Sequence, residues 1–285
     1  MKLKLALFSL LPSLLFFACG GPPADTDSLY PIRDGKVVYQ GELPNVVRTH
    51  LSSNPSSLHP VNSELAARYE VLDLCYQRLM SVDIETGALV PELIIQMPSV
   101  SEDQLRYQFE LHPKAAWNGG TPITAEDILF STKLLVCPHV ENQSIRPYLE
   151  YLSDIQVDPN DPRKFEVIMR EFYLNNENFG IYTYVLDRRV YDPENILETY
   201  SIPELLEADG PASKDPDILA WAENFNDPKF GQEADLLNNG CGPYQMTEWT
   251  AEERIVLSRN ESYWGKGLPN YLHSQYPDQI IFDII

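Results

Sequence analysis

One stretch, Leu105 to Val136, constrains the fold of this chain more than any other. Leu105, Tyr107, Phe109 and Leu111 alternate with Arg106, Gln108 and Glu110, the period of two that a half-buried strand requires. Trp117-Asn118-Gly119-Gly120 follows, and Asn-Gly-Gly supplies residues that tolerate the positive φ of a tight reversal. Thr124-Ala125-Glu126-Asp127 then opens an apolar run. The Thr124 hydroxyl can accept a backbone N–H one turn in, while Asp127 reaches back and its charge suits a helix N-terminus. Ile128, Leu129, Thr132, Leu135 and Val136 fall on one helical face. Strand, turn and capped helix in sequence predict an α/β protein.

The ends read differently. Lys2 and Lys4 precede an apolar run from Leu5 to Phe17, closed by Ala18-Cys19. This is the layout of a secretory signal over 1–18, too short for a membrane span of ~20 apolar residues. A cysteine directly after the small residue resembles a bacterial lipoprotein cleavage site, so Cys19 is the expected point of lipidation and of anchoring to a membrane. Residues 19–44, beginning with a small, polar, proline-bearing stretch, are expected to tether the anchor to the folded part. That part begins near residue 45 and is long enough for two domains of ordinary size.

The chain carries 42 acidic and 21 basic side chains. Nucleic acid is therefore not an expected partner, because phosphate binding needs clustered Lys and Arg. Solubility explains the acidity, and a preference for cationic solutes is its functional reading. Beyond Cys19 the cysteines are Cys75, Cys137 and Cys241. Three cannot form a complete disulfide framework, and Cys137 with Cys241 is the pair open to bonding in an oxidising envelope. No Gly-x-Ser-x-Gly elbow, phosphate-binding glycine loop or His-Glu-x-x-His occurs. The five histidines are scattered, and Cys137-Pro138-His139 alone is a weak metal pair. The expectation is a protein that is not an enzyme and needs no cofactor.

Leu65, Tyr69, Leu72, Cys75, Tyr76 and Leu79 form an apolar stripe at helical spacing, with Glu64, Arg68 and Glu70 outside it. Leu79 to Asp83 and Thr86 to Leu93 read as a strand, a turn and a return. Phe165, Val167 and Met169 mark a further alternating strand. Residues 191–239, with five prolines and many acids, predict short helices, among them Ile202 to Ala208 and Ile218 to Phe225.

Three blocks together resemble the peptide and dipeptide class (family 5) of extracytoplasmic solute-binding proteins, the receptors of ABC importers. The first is Leu111-His112-Pro113-Lys114-Ala115-Ala116-Trp117-Asn118-Gly119-Gly120-Thr121-Pro122-Ile123-Thr124-Ala125-Glu126-Asp127-Ile128, which departs from the family pattern where His112 replaces an Arg. The second comprises Tyr76, Leu79, Gly87, Pro91 and Leu93. The third runs Asn239-Gly240-Cys241-Gly242-Pro243-Tyr244-Gln245-Met246 and continues through Arg259-Asn260-Glu261-Ser262-Tyr263-Trp264.

The resemblance implies a two-lobed, periplasmic-binding-protein-like α/β fold, type II, of the large peptide-binding class. It divides this chain into a first segment of lobe 1 at 45–77, an extra α/β subdomain at 78–185 and a second lobe 1 segment at 186–285. The apolar run Ile280 to Ile285 is expected to continue into a second lobe outside this chain, which makes the chain an N-terminal fragment.

The implied function is capture of short peptides by cleft closure and delivery to ABC permease and ATPase subunits, by a monomer outside the cytoplasm. The alternatives are a same-fold surface lipoprotein acting as sensor or adhesion module, or a receptor for nickel, haem or sugar. The ligand-binding residues that the resemblance points to are Asn62, Ser63 and Glu64 along the cleft, Tyr148 and Tyr151 at its cap, and Gly242 and Tyr244 near the inter-lobe crossing.

Overall fold

The computed structural model describes residues 45–51, 53–62, 66–182 and 184–285, together with two short strands near the amino end. Those strands, β1 (Ile32–Arg33) and β2 (Lys36–Val37), pair antiparallel. The 1–18 leader, Cys19, most of the 19–44 tether, and Ser63, Glu64 and Leu65 lie outside the described residues.

Residues 45–285 form one compact unit with a continuous apolar core. The chain enters through β3 (Val46–Leu51) and reaches α1 (Ala67–Cys75). A hairpin follows, β4 (Met80–Val82) with β5 (Leu89–Pro91), turned at Gly87 with φ +70°. Next come β6 (Ser99–Val100), β7 (Arg106–Glu110), α2 (Ala125–Val136), β8 (Leu152–Val157) and β9 (Lys164–Met169). The proline-rich region folds as short helices: α3 (Arg188–Tyr191), α4 (Ile202–Leu206), α5 (Pro216–Phe225) and α6 (Ala234–Leu237), with 3-10 turns between them. The chain returns through β10 (Tyr244–Thr250), β11 (Arg254–Arg259) and β12 (Gln279–Ile284).

Two four-stranded sheets result. The first has the order β6-β7-β9-β8 and is antiparallel throughout. Its register places Phe109 opposite Phe165 and Tyr107 opposite Val167, all four buried on one face. The two Phe rings stack 5.1 Å apart, and each such buried side chain contributes about 1.5–3 kcal/mol. The helices α2 and α4 pack against β8. The second sheet has the order β10-β11-β12-β3, with β12 and β3 parallel. It therefore joins the first described residues of this unit to its last, so 45–51 and 279–284 fold as neighbours.

The strand, turn and capped helix read from Leu105 to Val136 form as expected. Gly120 takes φ +81°, and its N–H donates to Trp117 O at 2.7 Å. Asp127 Oδ2 accepts the Thr124 N–H at 2.9 Å, completing a reciprocal cap at the start of α2.

The first helix departs from the expected stripe in two respects. It ends at Cys75, because Tyr76 is extended with ψ 163°, so Leu79 is buried outside the helix. Arg68 is inside the protein, 3% exposed. Its guanidinium finds local acceptors there: it donates to His59 O at 2.8 Å and to the Tyr69 hydroxyl at 2.7 Å. Cys75, Cys137 and Cys241 are free and buried.

Candidate functional site

The segment from Ser53 to Asn62 has no regular structure, yet it is tightly held. Pro55 and Pro60 restrict the residues before them, Asn54 and His59, and the segment closes in a turn at Pro60 to Asn62. His59, 2% exposed, does most of the holding. Its Nδ1 accepts the N–H groups of Val61 and Asn62, each at 3.1 Å. Its Nε2 lies 2.8 Å from Phe225 O, at the end of α5. Two donors on Nδ1 fix the neutral tautomer with the proton on Nε2. Burial lowers the His59 pKa to about 4, and the nearby Arg68 charge acts in the same direction.

Asn62 extends the anchorage. Its Nδ2 donates to Asn226 Oδ1 at 2.8 Å, and Asn226 Nδ2 donates to His139 O at 2.8 Å. The candidate Ser63 and Glu64 follow immediately but lie outside the described residues.

A cationic and aromatic cluster stands beside this segment. Arg68 and Arg78, with Tyr69, Tyr182 and Tyr184, line a cavity of about 20 Å³ next to Pro60 and Val61, together with Leu135, Asn142 and Ile145. The Arg78 guanidinium sits 4.1 Å over the Tyr184 ring and pairs with Asp73 at 2.8 Å. Asp73 also accepts from the Tyr184 hydroxyl. Behind Arg78, Glu92 Oε2 accepts the Arg78 N–H at 3.1 Å. Burial raises the Glu92 pKa to about 8 against the opposing pull of Arg78.

The predicted tyrosines do not line this cavity themselves. Tyr148, 43% exposed, stacks on Tyr182 at 5.0 Å. Tyr151 packs on Tyr173, also at 5.0 Å. Asn175 links the two pairs, donating to the Tyr173 hydroxyl and accepting from the Tyr182 hydroxyl, each at 3.2 Å. Tyr148 thus reaches the cavity through Tyr182, and Tyr151 is linked to it through Tyr173 and Asn175.

Gly242 and Tyr244 lie elsewhere, at the carboxyl end of α1. Gly242 N–H donates to Cys75 O at 2.9 Å, and a Cβ on Gly242 would stand 2.5 Å from Leu74 O and from Cys75 C. Tyr244 is 2% exposed, and its hydroxyl donates to Pro277 O at 3.0 Å. Both are engaged in the scaffold.

The motif blocks meet there. Asn260 Nδ2 donates to Asn118 Oδ1 at 2.7 Å, and Asn118 Nδ2 donates to Asn238 O at 3.1 Å. Trp264 Nε1 donates to Gln77 Oε1 at 2.8 Å, and Gln77 Nε2 to the Tyr263 hydroxyl at 2.9 Å. His112 packs on Trp264, with ring centres 5.3 Å apart. Three blocks distant in sequence are thereby tied by side-chain amides.

Sequence reasoning missed His59, Arg68, Arg78 and the Tyr182–Tyr184 pair. Arg68 did carry a signal, because with Leu72 and Cys75 it occupies positions i, i+4 and i+7 of the buried stripe. A concavity of about 650 Å³ lies over the β6-β7-β9-β8 sheet between Gln96, Gln108, Asn160 and Glu166. It contains none of the predicted site residues. Also among the described residues, no group of three His, Cys, Asp or Glu could hold a metal ion, and no helix is long and apolar enough to cross a membrane.

Residues 88–285 match the family described as bacterial extracellular solute-binding proteins, family 5 Middle, which covers more than half of the chain. The chain belongs to this family. It is similar to the periplasmic oligopeptide-binding protein OppA of Escherichia coli K12, 28% identical over 193 residues, covering 65% of this chain and 32% of that protein.

Two solved structures share the fold. The oligopeptide-binding protein AppA of Bacillus subtilis, in complex with a nonapeptide, superposes with a TM-score of 0.64 at 16% identity over 86% of this chain and 41% of its own. NikZ of Campylobacter jejuni, in complex with Ni(L-His), gives 0.60 at 19% identity over 86% and 40%. The family-5 chain described here thus spans about a third of the length of the curated relatives it matches. The α/β architecture expected from sequence is that of the periplasmic peptide-binding proteins.

Proposed function

We propose that this family-5 protein is an extracytoplasmic receptor that captures short peptides and delivers them to an ABC permease, whose ATPase subunits supply the energy. The observation that carries the reading is the fixed segment ending at Asn62. His59 and Asn226 hold its closing turn, Pro60 to Asn62, beside Tyr182, on which Tyr148 stacks. Aromatic faces held in place beside a fixed turn suit a peptide, whose side chains can stack on them.

Residues 45–77 and 186–285 act as one lobe, with 78–185 attached to it. This division is supported by the sheet that joins β3 to β10, β11 and β12. The solute is clasped between this lobe and a second one. Contact with both faces favours the closed state, and the closed state docks on the permease. The protein acts by binding and transforms nothing, as a monomer held on a bacterial membrane through lipidated Cys19.

Mass spectrometry of whatever co-purifies with the protein tests the reading. Mixed short peptides are the expected result. A single metal complex, as in the nickel-bound relative, or a sugar would overturn it.

A further inference from the structure

The cavity beside Pro60 and Val61 has a chemistry that its surroundings leave incomplete. Arg68 is 3% exposed and lines it. Two of its nitrogens are used, Nη1 on His59 O and Nη2 on the Tyr69 hydroxyl. Its Nε is buried with no hydrogen-bond partner. No described carboxylate comes within 4 Å of its guanidinium, whereas the neighbouring Arg78 is matched by Asp73 at 2.8 Å.

A buried cation without a counter-ion is costly, and protein interiors pair such charges. Among the described residues the cluster thus keeps one positive charge in excess inside a strongly acidic chain. Long-range repulsion from that acidity is screened within about 8 Å at physiological salt, so the local guanidinium decides what binds. The cavity, at about 20 Å³, admits one oxygen-sized group. The Asn142 Oδ1, on a residue 3% exposed that lines the same cavity, also lacks a partner and asks for an N–H or O–H beside that oxygen.

We infer that Arg68 determines specificity by accepting a carboxylate of the solute, one oxygen seated on Arg68 Nε and a neighbouring amide N–H of the peptide facing Asn142 Oδ1. The site selects acidic peptides over their neutral isosteres. This rests on the peptide-receptor reading above and gives it a substrate class, the opposite of the cationic preference that the overall charge suggests.

The test offers the purified protein an equimolar set of synthetic peptides, identical except for Glu, Gln or Lys at one position, with that position varied along the peptide. Bound and free fractions are read by mass spectrometry. A charge-assisted hydrogen bond predicts enrichment of the best Glu peptide over its Gln counterpart by about ten- to a hundred-fold. Arg68→Gln abolishes that enrichment, and Arg68→Lys retains part of it. Equal capture of Glu and Gln peptides by the unmodified protein overturns the inference, and a water alone then fills the cavity. This comparison needs no variant to fold. Enrichment that survives Arg68→Gln also overturns it. Failure to retain any peptide overturns the receptor reading, and the inference falls with it.

Discussion

Replacing His59 by Asn should remove a measurable part of the protein's acid sensitivity. His59 is fully enclosed, and its Nδ1 accepts two backbone N–H groups that a protonated ring could not accept. Folding therefore favours the neutral form, and its pKa falls from the ordinary value near 6.5 to about 4. A depressed histidine supplies stability that is complete above pH 6.5 and is lost as the pH falls toward 4, because only the unfolded chain takes up the proton. Between pH 7.5 and pH 5.0 these values correspond to about 2 kcal/mol.

Asn at this position is too short to span from the Val61 and Asn62 N–H groups to Phe225 O, so the variant starts less stable. It does not titrate, however. Urea unfolding of both proteins at pH 7.5 and 5.0 isolates the histidine, since every other group contributes equally to the two. The gap between them should narrow by about 2 kcal/mol at the lower pH. A gap that stays constant within about 0.5 kcal/mol would mean that His59 is accessible to protons in the folded state, and the account of a rigid segment leading to Asn62 would fail.

Two further outcomes follow from the scaffold. Gly242→Ala places a Cβ 2.5 Å from backbone atoms of Leu74 and Cys75; urea denaturation should show a loss of about 2–4 kcal/mol, and a loss under about 1 kcal/mol would show that the end of α1 yields freely. Glu92→Gln mimics the protonated acid that burial favours with a pKa of about 8. A raised carboxyl pKa costs stability as the pH climbs from its ordinary range toward 8, so between pH 5.5 and 9 the unmodified protein should lose about 3 kcal/mol that the variant keeps. Parallel stability curves would refute the placement of that side chain.

Local order was legible where one residue type answers one local demand. The Thr124 and Asp127 cap, the Gly120 reversal and the alternation through Tyr107 and Phe109 all depend on neighbours within a turn or two, so the chain itself declares them. The family blocks were legible too, yet their meaning was not. Gly242 and Tyr244 look like candidates for a ligand because they stand in a recognisable string, but that string is occupied with α1 and with Pro277.

The short helices of 191–239 were readable as helices, while the use of Phe225 O as an anchor for His59 was not. That contact crosses 166 positions. The linear order of residues thus set the elements, their caps and their turns, because those are decided by interactions a few bonds away. Only folding in three dimensions decided which charges meet. Arg68 reads as a surface cation on a helix, and it becomes a buried one because its face of α1 meets His59 and the cavity beside Pro60. Burial, and with it the strength of a charge, depends on the low-dielectric surroundings that distant segments build, and no stretch of sequence carries those alone.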